Sequence, residues 1–225
     1  MSVDDTSASK DPGPAGGPEA STATPGRCVV VVLVCYALAA SFYELPKGYH
    51  WDEGQIILDS LRLAWGDLPH LDYVYTYSGG TAYLNFLVGK LFGFTVPGFR
   101  LWTVCLGAIL SLGLLAVARR LVPGWWACVP PAIFAFYGVR STFLAPYANW
   151  YCLVAWVGLA LALISYRRTG SRRALAWAGV AAGLAFACKQ TLGAFLLAGA
   201  LFGLRLTDDR RGPTPLERAL DAVIV

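Results

Sequence analysis

Long apolar runs separated by short charged seams dominate the chain after residue 26. The first run, Cys28 to Tyr43, covers about 24 Å as a helix, slightly short for a ~30 Å hydrocarbon core. Its flanking Arg27 and Glu44 suit a snorkelling role at the two interfaces. Further runs are Phe99 to Ala118, ending in Arg119-Arg120, and Trp125 to Val139, which Pro130-Pro131 should kink. Trp150 to Tyr166 follows, ending in Arg167-Arg168. Ala174 to Cys188 starts after Arg172-Arg173, and Leu192 to Leu204 ends at Arg205. Each run predicts a helix that crosses, or nearly crosses, a bilayer.

The pattern changes between 44 and 97. Asp52 opens a helical spacing with Ile57, Leu61, Ala64 and Trp65 on one face. Thr81 to Phe94 is a second short helical pattern, with Lys90 inside it and a polar stripe through Asn85 and Gly89. A run of that length is more often interfacial than spanning. Positive-inside logic decides the count. Arg119-Arg120, Arg167 to Arg173 and Arg205 to Arg211 share the cytoplasmic side only if 81–94 does not span. The expectation is therefore an all-α polytopic membrane protein of about six transmembrane helices. Both termini are cytoplasmic, and one large external loop, 44–97, carries two interfacial helices.

Composition agrees. The chain is 56% hydrophobic and 14% charged, where a soluble domain carries about 25% charged residues. Carboxylates are missing altogether from Tyr73 to Thr207, which excludes a soluble surface there. The net charge of +4 is too small to argue for nucleic acid and reads as topology instead. Residues 1–26 lack the apolar mass for a core and read as a disordered cytoplasmic tail. Residues 27–206 form the transmembrane module, and 207–225 read as a cytoplasmic linker leading into further spans. The six cysteines include no C-x-x-C pair and read as small buried apolar side chains.

The chemistry is concentrated in the external loop. Asp52 and Glu53 form an adjacent carboxylate pair at the membrane boundary, beside His50 and Trp51. Asp52 also fits a helix cap. A carboxylate near low dielectric suits a general base. His50 and His70 bracket the acidic cluster, so a divalent metal with His50 among its ligands is a second possibility, although no ligand spacing specifies it. Asp72 fits a turn. Tyr73, Tyr75 and Tyr77 alternate along the loop, a spacing that suits facing a sugar.

The ordered set of pieces resembles a known superfamily. One span is followed by Trp-Asp-Glu-Gly (51–54), a helix, then Gly66-Asp-Leu-Pro-His-Leu-Asp72, an interfacial helix ending Lys-Leu-Phe-Gly, and Arg100 before a span ending Ala-Arg-Arg-Leu. Pro146-Tyr-Ala-Asn149-Trp-Tyr opens a later span, and Gly179 to Lys189 is a Gly-Leu-Ala-rich span ending in Lys. This is similar to the GT-C membrane glycosyltransferases. The nearest likeness is to bacterial relatives of the dolichyl-phosphate-mannose protein mannosyltransferases and the aminoarabinose transferases (family 39 and 83 type). The resemblance implies transfer of a sugar, with inversion, from a polyprenyl-phosphate carrier to an acceptor glycan, lipid or protein on the external face of the inner membrane. It implies Asp52 as general base, with Glu53 beside it. Arg100, Arg140 and Lys189 then become candidate phosphate contacts, and Asp72, Tyr75 and Asn149 candidate substrate contacts.

Two departures stand out. The loop from Arg140 to Asn149 lacks the second carboxylate that the family often has, and the chain is shorter than usual members. The chain is thus expected to be the N-terminal portion of a longer enzyme. A non-catalytic module that binds lipid-linked sugar or a partner is the alternative reading. A transporter is a third, disfavoured because the carboxylates lie in a loop rather than mid-span.

Overall fold

A computed structural model describes residues 25–43, 51–138 and 145–206. Among them every regular element is helical, apart from a single Pro69–Tyr73 bridge. Residues 1–24 of the tail, the 207–225 linker, His50 and Arg140 lie outside the described residues, and the last two residues of the expected tail, Pro25 and Gly26, open the first helix instead.

Helix α1 spans Pro25–Tyr43, α2 Trp51–Trp65 and α3 Gly80–Phe92. Helix α4 spans Val96–Leu121, opened by Thr95, whose hydroxyl accepts the Gly98 N–H, with a proline in the first turn. Helices α6 (Ala148–Thr169), α7 (Arg172–Cys188) and α8 (Gln190–Leu206) complete the bundle. Gly170, in the left-handed region at φ 65°, ends α6 and donates its N–H to Tyr166.

The run from Trp125 to Val139 departs from expectation. It is not one kinked helix but a 3₁₀ turn (Gly124–Cys128), a short α5 (Val129–Ile133) and a π-helical turn (Phe134–Gly138). Pro130 and Pro131 remove two backbone donors, so a continuous ladder cannot form across them.

Among the described residues, helices α4 and α6, of 26 and 22 residues, are the two long and apolar enough to cross a membrane. At 1.5 Å per residue they reach roughly 39 and 33 Å, more than the ~30 Å core. Helices α1 and α8 are apolar but shorter.

Glycines and small residues let the helices approach. On α1, Tyr36 lies over Gly107 of α4 and donates its hydroxyl to the Val104 carbonyl at 3.0 Å. Gly193 of α8 meets the backbone of Phe186 on α7. Between α4, α6 and α7 the core is Leu106, Leu110, Trp150, Tyr151, Cys152, Ala155, Ala185 and Cys188.

The two ends of the bundle differ. At one end Arg168 of α6 donates to the Arg120 carbonyl at 2.7 Å, and Arg120 to the Leu161 carbonyl at 3.0 Å. At the other end Trp102 of α4 donates to the Tyr151 hydroxyl of α6 at 3.1 Å. Helices α4 and α6 therefore run parallel, with their basic C-terminal turns together.

The loop helices are more deeply built in than their patterns predict. The buried side of α2 carries Glu53, Asp59 and Ser60, whereas Ala64 and Trp65 of the expected apolar face are exposed. On α3 the stripe of Asn85 and Gly89 is buried, not solvated.

Candidate functional site

The first turns of α2, α4 and α6 meet the last turn of α7 at the end of the bundle away from the arginines. Asp52 lies inside the first turn of α2 rather than ahead of it as a cap. Negative charge is favoured there by the helix dipole. Its Oδ2 accepts the Tyr147 hydroxyl at 2.8 Å. Burial first, then the Asp52 hydrogen bond and charge, push the Tyr147 phenol above the ordinary tyrosine range, so it stays a donor.

Glu53 is buried, at 4% exposure, and holds Arg100 from the first turns of α4. The guanidinium Nε donates to Oε1 and Nη2 to Oε2, each at 2.9 Å. A two-bond fork of this kind fixes both direction and distance. Two residues expected to act separately on substrate are thus paired with each other.

Lys189 sits between α7 and α8 in extended backbone. Its Nζ donates to Asn149 Oδ1 at 3.0 Å and lies 5.5 Å from the centre of the Tyr77 ring. Both partners are neutral, so neither offsets the positive charge of the side chain. The break that exposes Lys189 is held by the loop. Ser78 donates to the Phe186 carbonyl at 2.9 Å, and Thr81 to the Cys188 carbonyl at 3.2 Å. These satisfy carbonyls that the end of α7 would otherwise leave unpaired. Gly80 passes so close to the Ala187 backbone that a side chain would collide.

The loop before α3 is an aromatic ladder. His70 and Tyr75, Tyr73 and Tyr75, and Tyr75 and Tyr77 pack edge to face, at 6.0, 6.3 and 6.2 Å between ring centres. Tyr75 is the middle rung, so its ring is largely engaged by its neighbours, and burial above all raises its phenol. Tyr73 is pushed up to about 12 by burial and then by the charge of Asp59. Burial raises the Asp59 carboxyl, offset in part by the Gln55 hydrogen bond and the Arg62 charge. Asp72 is exposed and closes its own turn by accepting the Leu68 N–H at 2.7 Å. No group of three His, Cys, Asp or Glu side chains among the described residues is arranged to hold a metal.

The structure therefore joins Asp52, Glu53 and Arg100 in one cluster and Asn149, Lys189 and Tyr77 in a second. Tyr147, two residues from Asn149, links them. Sequence reasoning gave Tyr147 no role. Its signal was a phenol just before a long apolar run, two residues from Asn149, which was already singled out.

A family model described as dolichyl-phosphate-mannose-protein mannosyltransferase matches residues 80–214, more than half of the chain. The chain belongs to this family. The matched stretch includes Arg100, Tyr147, Asn149 and Lys189 and begins after Asp52 and Glu53. Membership makes the chain a glycosyltransferase by family, and its two long apolar helices agree with a membrane protein. A family of this kind works with a lipid-linked sugar donor and an acceptor at a membrane. Neither curated proteins nor solved structures yield a match.

Proposed function

We propose that this chain is a GT-C glycosyltransferase module that moves a sugar from a polyprenyl-phosphate carrier to an acceptor on the external face of the inner membrane. Asp52 is the general base. It takes the proton from the acceptor hydroxyl or amine as that atom attacks the anomeric carbon. The bond from the anomeric carbon to the phosphate oxygen breaks, its electron pair leaves with the lipid phosphate, and the configuration inverts. Catalysis rests on placement and on cations for the leaving phosphate.

Lys189 is the primary phosphate contact, since its described partners are neutral. Asn149 aims it. Arg100 contributes through a guanidinium already oriented by Glu53. Arg140 is a further phosphate contact in this reading. Asp72 and Tyr75 shape the acceptor side through the loop they brace. Residues 27–206 are the membrane module, with six spans, both termini cytoplasmic and 44–97 external. Residues 1–26 and 207–225 are the cytoplasmic tail and linker.

The observation that carries the proposal is the gathering of a carboxylate pair with Arg100, Asn149 and Lys189 at the end of the bundle opposite Arg120 and Arg168. By the positive-inside tendency that end faces outward. The test is transfer from a set of radiolabelled polyprenyl-phosphate sugars in membranes that contain the chain. Transfer by the parent chain supports the reading. A folded, inserted chain that transfers from no donor refutes it and favours a non-catalytic module.

A further inference from the structure

We infer that Tyr147 is a positioning residue for Asp52, and that Asn85, buried in α3, sets Tyr147 in place. The inference rests on Asp52 as the base.

Tyr147 is the residue just before α6, in extended backbone at φ −63° and ψ 161°. A residue in such a position ordinarily follows the loop it belongs to. Here the neighbouring carbonyl is tied into the core. Asn85 Nδ2 donates to the Pro146 carbonyl at 3.2 Å, and the Asn85 Oδ1 accepts the Tyr151 hydroxyl at 2.6 Å. Tyr151 in turn accepts the Trp102 indole N–H. Asn85 is 2% exposed. Three helices, α3, α4 and α6, thus converge on the peptide that carries Tyr147. A buried polar chain satisfied at each link is rigid, and breaking one link is costly.

The far end of that chain is the Tyr147 hydroxyl on Asp52 Oδ2. A phenol that stays protonated orients the carboxylate as a donor and has no competing role as a base. Asp52 is on α2, in the first external loop, and Tyr147 precedes α6, so two segments 95 residues apart set one carboxylate rotamer. A base misplaced by a fraction of an ångström loses rate without losing substrate. Tyr147 therefore acts on turnover rather than on affinity. This assigns a function to the polar stripe of α3.

The experiment compares the parent chain, Tyr147→Phe, Asn85→Ala and a chain carrying 3-fluorotyrosine at 147, in membranes, with the polyprenyl-phosphate sugar that the parent turns over. Tyr147→Phe is expected to lower kcat roughly tenfold, the size of one charge-assisted hydrogen bond, with KM within about twofold. The fluorotyrosine chain keeps the hydroxyl and should stay near the parental kcat. Its ¹⁹F resonance should move when Asp52→Asn is added, which reads the contact without any donor. Asn85→Ala should lower kcat in the same sense and shift that resonance. An unchanged kcat in Tyr147→Phe, or a resonance blind to Asp52→Asn, overturns the inference and leaves the proposed activity standing. A parent chain that transfers from no donor, with the resonance still responsive, overturns the proposed activity and the positioning role with it, while the contact itself stands.

Discussion

Glu53 and Arg100 form a forked ion pair, 2.9 Å at both contacts, that fastens the first turn of α2 to the first turns of α4. Both side chains are largely shielded, at 5% and 20% exposure. Desolvated charges of this kind are strongly coupled, and removing one partner leaves the other uncompensated. Glu53→Gln is expected to lower stability by about 3 kcal/mol, read as a drop in the thermal midpoint of the solubilised chain. Arg100→Lys keeps the charge but loses the fork, and should recover only part of it. A midpoint unmoved by Glu53→Gln would mean that the pair does not hold the loop on the bundle.

Asp59 gives a prediction of the opposite sign. Burial raises its carboxyl in the folded chain, so the native state holds that proton more tightly than the unfolded chain. Stability linked to this group is therefore greatest in acid and falls as pH rises from the ordinary carboxylate value of 3.8 through the raised folded value. Asp59→Asn keeps an oxygen for Gln55 and removes the buried charge. It should raise the thermal midpoint at neutral pH, and the gain should shrink towards zero as the pH is lowered into the range where Asp59 is protonated. A gain that persists in acid would show that the charge is not its cause.

Gly193 is a packing prediction. A methyl group there would run into the backbone of Phe186, and backbone cannot rotate aside as a side chain can. Gly193→Ala is expected to cost roughly 1–3 kcal/mol by overpacking the α7–α8 contact. Gly199→Ala, which meets open space on the same helix, should be near neutral. The pair of thermal midpoints checks this, and equal effects would contradict the contact.

Much of the bundle was legible because long apolar runs announce helices. The runs expected at 99–118, 150–166 and 174–188 became α4, α6 and α7, each extended by a few residues into its basic or proline flank. The carboxylate pair stood out because the rest of the chain is so poor in acid. Pairings were hidden for a physical reason. Glu53 and Arg100 are 47 residues apart, and nothing local says that the two neutralise each other. Asn85 read only as part of a polar stripe on an interfacial helix because its partners, Pro146 and Tyr151, are distant in sequence. The 3₁₀ and π turns on either side of α5 were hidden because hydrophobic periodicity reports the buried face and not the hydrogen-bond pattern of the backbone.

The central claim is that Asp52 carries the chemistry and Lys189 the leaving phosphate. The direct measurement is initial-rate transfer by the parent chain, Asp52→Asn and Lys189→Ala, with donor concentration varied. In Asp52→Asn, kcat should fall by about 10²-fold or more with KM near the parental value, as removal of a general base requires. Lys189→Ala should also lower kcat and, in addition, raise the KM for donor. Parental kcat in Asp52→Asn would contradict the account and leave Asp52 as a structural partner of Tyr147 alone.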